Sequence, residues 1–234
     1  MPAALASPKT LRLQYFNIEG PAEKSRLAMR IAKIPFTDDR VDFAKWPSEI
    51  KPTTPYGQLP LMHVDESHTI AQSDAILRYV GGLSKTLYPA DVETRTAIDE
   101  ALSLVDEINQ SWYYALVAGI NPAKLGHDVE KGSEEHGAVT KKMRERWMAD
   151  EFPRYAGFLT KRVEGGKMLV GDAVTIADCA VIPLLRRFCS GDVDHVDPTC
   201  MSQFPEVKAY YDRFHAIPEV AAWYEERAQA QKAA

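Results

Sequence analysis

Residues 56–64 read YGQLPLMHV and place a proline at the start of a short apolar run. Proline has no backbone N–H to donate to a sheet, so Pro60 must open its strand or lie on an edge, and Leu59 before it is extended. A cis Leu59–Pro60 bond would leave the backbone of Leu59 free to pair with an extended peptide. An isolated motif of this kind is more often an ordinary edge strand, so its meaning depends on the segments around it.

The segments on either side of this stretch predict a mixed α/β unit. Alternation in residues 11–15 predicts a strand with Leu11, Leu13 and Tyr15 on one face. Helical spacing follows over residues 22–34, and residues 36–43 suggest a second strand. After Pro60 we expect a β-hairpin and then a helix from residue 73. The predicted order is strand, helix, strand, hairpin and helix.

The chain changes character near residue 90. From Glu93 onward the pattern is helical almost throughout, with one apolar stripe at Ile98, Leu102, Val105, Ile108 and Trp112. The polar break LYPADVET at residues 87–94 is the expected linker. We therefore expect an α/β domain over residues 1–90 and an all-helical domain over residues 91–234.

Composition excludes several classes of function. The formal net charge is −5 and no basic cluster occurs, which argues against a nucleic-acid partner. No apolar run reaches the roughly 18 residues of a membrane span, and the first residues do not resemble a secretory signal, so a cytoplasmic protein is expected. The three cysteines form no CxxC pair and the histidines lack zinc-ligand spacing, so no metal is expected.

Two further local features are ambiguous when taken singly. Tyr15 ends its strand, and its hydroxyl could emerge at the mouth of the sheet, although a buried tyrosine is more often a core aromatic. Gln72 and Ser73 open a helix, where exposed N–H groups hold a carboxylate readily. Ser73 could equally do no more than cap that helix.

Taken together, five segments resemble the cytosolic glutathione S-transferases in order and spacing. The resemblance covers nearly the whole chain and is greatest to the group with a catalytic tyrosine. YFN and WPSEIK are similar to the sigma class and YGQLP to the pi class, so the class stays open. The segments are YFNIEGPAEKSRLAM, WPSEIKPTTPYGQLP, TIAQSDAILRYV, LYP and VTIADCAVIP.

The resemblance implies a thioredoxin-like first domain, an all-helical second domain, a homodimer, and glutathione as co-substrate without a metal. It also implies contacts with each part of glutathione. Tyr15 would activate the thiol, and Leu59, before a cis-Pro60, would pair with the cysteinyl part. The γ-glutamyl end would be held by Gln72 and Ser73. The residues expected near the glycyl carboxylate are Trp46, Lys51 and Gln58.

Two further residues have implied roles only in a dimer. Asp99 matches an acidic residue that reaches the γ-glutamyl amino group bound to the neighbouring subunit, although a solvated carboxylate at a helix start is as good an interpretation. Tyr56 matches an aromatic that inserts into the partner subunit. Both roles need a second copy of the chain.

The expected reaction is attack of the glutathione thiolate on a small hydrophobic electrophile. Phe16, Trp112 and Tyr113 are candidates for the electrophile pocket, although the last two also fit a helix core. Glu19 and Pro21 stand where similar enzymes carry the arginines of Arg-Gly-Arg, which removes positive charge near the thiol. Two alternatives therefore stay open: a catalytically weak ligand-binding or structural protein, and a glutathione-dependent isomerase.

One motif has a structural interpretation only. Thr175 and Asp178 in VTIAD have the spacing of a capping box, in which the two side chains satisfy N–H groups at a helix start. We expect this motif to serve folding and not chemistry.

Overall fold

The computed structural model describes residues 8–65 and 67–233. Its N-terminal part contains one four-stranded mixed sheet. The sheet order is β2-β1-β3-β4, with β1 and β2 parallel and the other neighbours antiparallel. The strands are β1 (Leu11–Phe16), β2 (Thr37–Val41), β3 (Leu61–Val64) and β4 (His68–Ala71).

The predicted alternation in the first strand is confirmed. Leu11, Leu13 and Tyr15 are buried on one face, whereas the residues between them are half-buried. Helix α1 (Glu23–Ile31) makes the parallel crossover from β1 to β2, and α2 (Ser73–Ser84) follows the hairpin. Pro60 immediately precedes β3, so of the two positions allowed for this proline it takes the start of a strand.

The rest of the chain is helical, as expected. The stripe from Ile98 to Trp112 lies on the buried face of α3. The helices are α3 (Val92–Ile120), α4 (Glu134–Asp150), α5 (Phe152–Val163), α6 (Ile176–Cys189), α7 (Pro205–His215) and α8 (Pro218–Ala233). Across residues 8–65 and 67–233, no helix combines the length and apolar character that a membrane crossing requires.

Helices of the two parts pack directly on one another. Helix α1 lies against α6 and α8. Trp223 of α8 donates its indole N–H to the buried carboxylate of Glu23 on α1, at 2.7 Å. On the surface, Arg30 pairs with Glu226 at 2.7 Å. The sheet and the helical part therefore share one core.

The predicted capping box at α6 is confirmed and forms part of a larger network. Thr175 accepts from the backbone N–H of Ala177, and the Asp178 carboxylate accepts from the backbone N–H and hydroxyl of Thr175 at 2.7 and 2.9 Å. Asp178 also accepts from the Leu169 N–H at 2.9 Å and from the Tyr210 hydroxyl at 2.8 Å. This buried carboxylate thus links α6, α7 and the loop before α6.

Replacing Asp178 should cost far more stability than replacing Thr175. Asp178→Ala leaves several buried donors without an acceptor, so the free energy of unfolding should fall by about 3 kcal/mol or more. Thr175→Ala should cost about 0.5–2 kcal/mol, the usual cost of losing a helix cap. Urea unfolding measures both, with Asp197→Ala at an exposed turn as control. An Asp178→Ala loss no larger than that of the control would contradict this role.

Candidate active site

Tyr15 lies near the end of β1 under a close backbone crossing. The residue is 6% exposed. Within the described residues its hydroxyl makes no hydrogen bond. Gly20 passes directly over it with φ +47°, and a Cβ added there would lie 2.5 Å from the Tyr15 hydroxyl oxygen. Only glycine allows both this conformation and this approach.

A buried arginine holds the loop that carries Gly20. Arg26 donates to the carbonyl oxygens of Ile18 and Glu19, at 3.0 and 3.1 Å. The same guanidinium pairs with Glu23 and with Asp38, each at 3.0 Å. Its central carbon lies 5.8 Å from the centroid of the Tyr15 ring. The loop therefore has a fixed position above Tyr15.

The electrostatic environment keeps the Tyr15 hydroxyl protonated. Burial raises the pKa of this phenol above its ordinary value, and the positive charges of Arg26 and Arg187 oppose that rise. Because a raised pKa favours the neutral form, the O–H is present as a donor throughout the neutral pH range. Tyr15 can thus donate to an anion but is not itself a base there.

The backbone next to Tyr15 has groups without partners. The Leu59–Pro60 bond is cis, as the resemblance implied. Leu59 is half-buried, and no hydrogen bond to its backbone N–H or C=O occurs among residues 8–65 and 67–233. Gln14 of β1 is the sheet neighbour of Leu61, so Leu59 lies two residues before the strand that pairs with β1.

The start of α2 does not have the capping geometry that was the alternative for Ser73. Gln72 occupies the N-cap position with φ +71°, and no side-chain hydrogen bond caps the helix there. Ser73 is half-buried in the first turn, beside the ion pair between Lys24 and Asp74. The exposed Gln72 amide and the N–H groups of the first turn therefore remain available to a ligand.

The segment between β2 and β3 carries the three other expected contact residues. Trp46 begins a short turn, Trp46–Ile50, and packs edge-on against Phe16 with ring centroids 5.4 Å apart. Lys51 and Gln58 are exposed, and the Lys51 stem passes close to Gly57. A lysine cation therefore stands beside the loop that leads to Leu59.

A cavity of about 320 Å³ lies between the α/β part and the helical part. Its walls on the α/β side include Gly20, Lys24 and Ser73, and on the helical side Asp106, Tyr113 and Arg187. Gly20, whose backbone crosses close over the Tyr15 hydroxyl, connects this cavity to Tyr15. Across the described residues, no cluster of three or more His, Cys, Asp or Glu side chains has an arrangement suited to a metal ion.

Of the three residues expected to form the electrophile pocket, only Tyr113 lines this cavity. Trp112 is fully buried in the helical core against Trp147 and Phe188, with centroids 4.9 and 5.1 Å away. Phe16 lies on the opposite face of β1 from Tyr15 and stacks on Phe43 at 4.3 Å. Successive side chains point to opposite faces of a strand, which separates Phe16 from Tyr15. In a helix they turn by about 100°, which separates Trp112 from Tyr113.

The two residues with roles in a dimer differ in availability. Asp99 is already engaged within its own chain, by Arg78 at 2.9 Å and by the Tyr88 hydroxyl at 2.8 Å. Tyr56 is 66% exposed on its loop. The single chain therefore leaves the aromatic side chain of Tyr56 uncovered.

Sequence reasoning missed Arg187 as a residue of this site. The available signal was the pair Arg186–Arg187, which interrupts an otherwise apolar helix with two charges that need partners. Spacing along α6 cannot show that Arg187 faces Tyr15, which precedes it by 172 positions. The cavity between the two parts of the fold shows it, because Arg187 and Gly20, which crosses over Tyr15, both line that cavity.

Gly20→Ala should destabilise the protein because a Cβ there collides with Tyr15 and the backbone favours glycine. We expect a loss of about 1–3 kcal/mol in the free energy of unfolding. Gly82→Ala, in open space on α2, is the matched control and should stabilise by about 0.5–1 kcal/mol. Urea unfolding distinguishes the two. Equal effects would contradict the close crossing over Tyr15.

Comparisons with known proteins agree with this architecture. Residues 21–82 match the family model "Glutathione S-transferase, N-terminal domain" and residues 130–227 match "Glutathione S-transferase, C-terminal domain". Probable glutathione S-transferase 5 of Caenorhabditis elegans is 31% identical, over 92% of this chain and 96% of that protein. Hematopoietic prostaglandin D synthase of Gallus gallus is 29% identical over the same shares.

A solved structure has the same fold over most of its length. The glutathione S-transferase from Ascaris lumbricoides aligns with a TM-score of 0.72 and 28% identity, over 93% of this chain and 97% of that one. The sequence and structural similarities cover both the mixed sheet and the helical part. The chain belongs to the glutathione S-transferase family.

Proposed function

We propose that this protein is a glutathione transferase that joins the glutathione thiolate to small hydrophobic electrophiles. The observation that carries the proposal is Tyr15. A buried, protonated hydroxyl without an internal hydrogen-bond partner in the described residues lies next to a cavity between the two parts of the fold. Such a group is suited to donate to a sulfur anion.

The proposed site suits an extended tripeptide with charged ends. The free backbone of Leu59 can pair with the cysteinyl residue, and the first turn of α2 at Gln72 and Ser73 can hold the γ-glutamyl carboxylate. On the opposite side we assign the glycyl carboxylate to Lys51, with Trp46 and Gln58 beside it. In this arrangement the sulfur, bound by the Tyr15 hydroxyl, would lie between these two ends.

The chemistry requires the thiol to lose its proton before attack. The thiol proton passes to solvent, and the sulfur then forms a bond to an electrophilic carbon. That carbon loses its leaving group with the bonding electron pair or, in an addition, its π bond breaks and the resulting carbanion takes a proton from solvent. A free thiol has a pKa of about 8.5, so lowering it by about two units raises the thiolate fraction roughly 25-fold at neutral pH. Because nucleophilicity falls with basicity, about tenfold of this is lost. Most of the acceleration must therefore come from positioning.

Tyr15→Phe should reduce turnover and leave glutathione binding nearly intact. The change removes almost no volume but loses one hydrogen bond that both lowers the thiol pKa and positions the sulfur, so turnover should fall about 10- to 100-fold. The measurement is conjugation of a standard aromatic electrophile, with glutathione binding measured by calorimetry. Tyr114→Phe, an exposed tyrosine of α3 outside the cavity, is the matched control. Unchanged turnover in Tyr15→Phe would refute the role of Tyr15.

Two other functions are also supported by specific observations. Similarity to a prostaglandin D synthase supports a glutathione-dependent isomerase, which would return its glutathione after each turnover. Glu19 and Pro21, in place of the arginines of similar enzymes, support a weakly catalytic binding protein. Stoichiometric consumption of glutathione supports conjugation, consumption of substrate alone supports isomerisation, and binding without either supports the third candidate.

We also propose that the protein is a cytoplasmic homodimer that acts in detoxification, with domains over residues 1–90 and 91–234. The exposed Tyr56 is the feature that supports the dimer, because a large aromatic at a loop tip is suited to fill a pocket of a partner. In this arrangement Asp99 would reach the γ-glutamyl amino group bound to the partner subunit. Because Arg78 and Tyr88 already donate to Asp99, its carboxylate would have to accept from the γ-glutamyl amino group in addition to them.

Tyr56→Ala should weaken the proposed dimer. Loss of a buried aromatic anchor should raise the dissociation constant at least tenfold. Analytical ultracentrifugation over a range of protein concentrations measures this change. Tyr114→Ala removes an aromatic of similar exposure, 59%, and serves as the control. A dimer of unchanged stability would remove Tyr56 from the interface, and a monomeric unaltered protein would refute the dimer itself.

A further inference from the structure

Three cations around the cavity already have partners. Lys24 pairs with Asp74, and Arg26 is paired with Glu23 and Asp38. Arg186 on α6 pairs with Glu19 at 3.0 Å. Glu19 stands at a position where similar enzymes carry an arginine. It also neutralises the charge of Arg186. None of these three cations supplies a free positive charge to the cavity.

Arg187 differs from its neighbours. Its side chain is half-buried and lines the cavity, and it forms neither a hydrogen bond nor an ion pair within residues 8–65 and 67–233. The 100° turn between successive helical residues explains the difference, because the two side chains leave α6 in different directions: Arg186 pairs with Glu19, whereas Arg187 lines the cavity. A guanidinium is never neutral in proteins, so this charge persists at every physiological pH.

Arg187 lies within electrostatic reach of Tyr15. Its positive charge opposes the rise in the Tyr15 pKa, as does that of Arg26. In turn, burial lowers the pKa of Arg187 below the ordinary value for a guanidinium, and the negative charges of Glu19 and of Tyr15 in its ionised form offset this only in part. A partly buried cation without an anion is unfavourable unless an anion arrives with a ligand.

We propose that Arg187 supplies, from the helical domain, the positive charge that stabilises the glutathione thiolate beside Tyr15. This inference rests on the proposed function, which places that sulfur at the Tyr15 hydroxyl. It explains how the site operates although residues 19 and 21 are Glu and Pro. Similar enzymes carry this cation on the loop after β1, whereas in this protein it lies on helix α6, on the other side of the cavity.

The other charged groups around the cavity cannot replace this contribution. Burial, with a smaller contribution from the negative charge of Asp74, raises the pKa of Asp106 on α3. In its ionised form this carboxylate repels a second anion and so cannot stabilise a thiolate. The positive groups are compensated by the ion pairs given above. Arg227 of α8 pairs with Glu23 at 3.5 Å. The charged and titratable groups that line the cavity, line the adjoining space beside Glu19 or act on Tyr15 are Tyr15, Glu19, Lys24, Arg26, Asp74, Asp106, Tyr113, Arg186, Arg187, Asp192 and Arg227.

The test is a pH titration of the thiolate absorbance of glutathione bound to the full-length protein. Arg187→Met removes the charge and keeps an unbranched apolar stem, so the pKa of the bound thiol should rise by about one unit or more. At a pH below the pKa of the bound thiol, the thiolate fraction should then fall about tenfold for each unit. Because nucleophilicity rises with basicity, turnover should fall only about threefold for each unit. Arg187→Lys should retain most of the shift because it keeps a positive charge.

Two comparisons separate this role from a structural one. Arg146→Met removes an exposed arginine of α4 outside the cavity and should leave the thiol pKa unchanged. Arg187→Met should unfold at the same temperature as the unaltered protein or higher, because an unpaired cation contributes no stability. Loss of stability without a change in thiol pKa would assign Arg187 to packing and overturn the inference.

The remaining outcomes distinguish the inference from the proposed function. If the unaltered protein binds glutathione with a lowered thiol pKa and turns over, an unchanged pKa in Arg187→Met overturns the inference alone. If the unaltered protein binds no glutathione, both the proposed function and the inference fall. A rise in thiol pKa in Arg187→Met, with recovery in Arg187→Lys, supports both.

Discussion

The buried guanidinium of Arg26 fixes the parts of this structure relative to one another. It is fully buried and joins α1 to Asp38 of β2, to Glu23 on its own helix and to the loop after β1. Glu23 in turn accepts from Trp223 of α8. Because an unpaired buried charge is very unfavourable, each of these groups must stay in place for the others to be satisfied.

This network determines the position of Tyr15 indirectly. The loop carbonyls that Arg26 binds are those of Ile18 and Glu19, directly before Gly20. Gly20 then lies against the hydroxyl of Tyr15, while strand alternation holds the ring on the buried face of β1. A charge buried for folding thereby also restricts the geometry of the proposed reaction, so the stability and the chemistry of this region are coupled.

The distribution of charge divides the two parts of the fold by role. On the α/β side, the cations near Tyr15, Lys24 and Arg26, are neutralised by ion pairs with Asp74, Glu23 and Asp38. These pairs hold α2 and the loop after β1 in place. On the helical side, Arg187 faces the cavity without an internal partner in the described residues. The backbone groups that would bind a peptide belong to the sheet part, and the proposed free charge comes from the helical part. Packing of α1 against α6 is therefore a requirement of the proposed site as well as of the core.

The sequence by itself determined the features that depend on near neighbours. Alternation gave β1 and its buried face, proline chemistry limited Pro60 to the start of a strand or an edge, and the Thr175–Asp178 spacing gave the cap of α6. Tyr15 and Ser73 were found from the order of short motifs, and the structure brings both to the region of one cavity.

Only the tertiary structure decided which side chains share a cavity and which charges are compensated. It placed Trp112 in the core and its neighbour Tyr113 in the cavity. It paired Arg186 with Glu19, whereas Arg187 lines the cavity without a side-chain partner among residues 8–65 and 67–233. The physical reason is that local patterns arise from backbone geometry over a few residues. Partners separated by more than 160 positions are set by how each helix is rotated and where it packs.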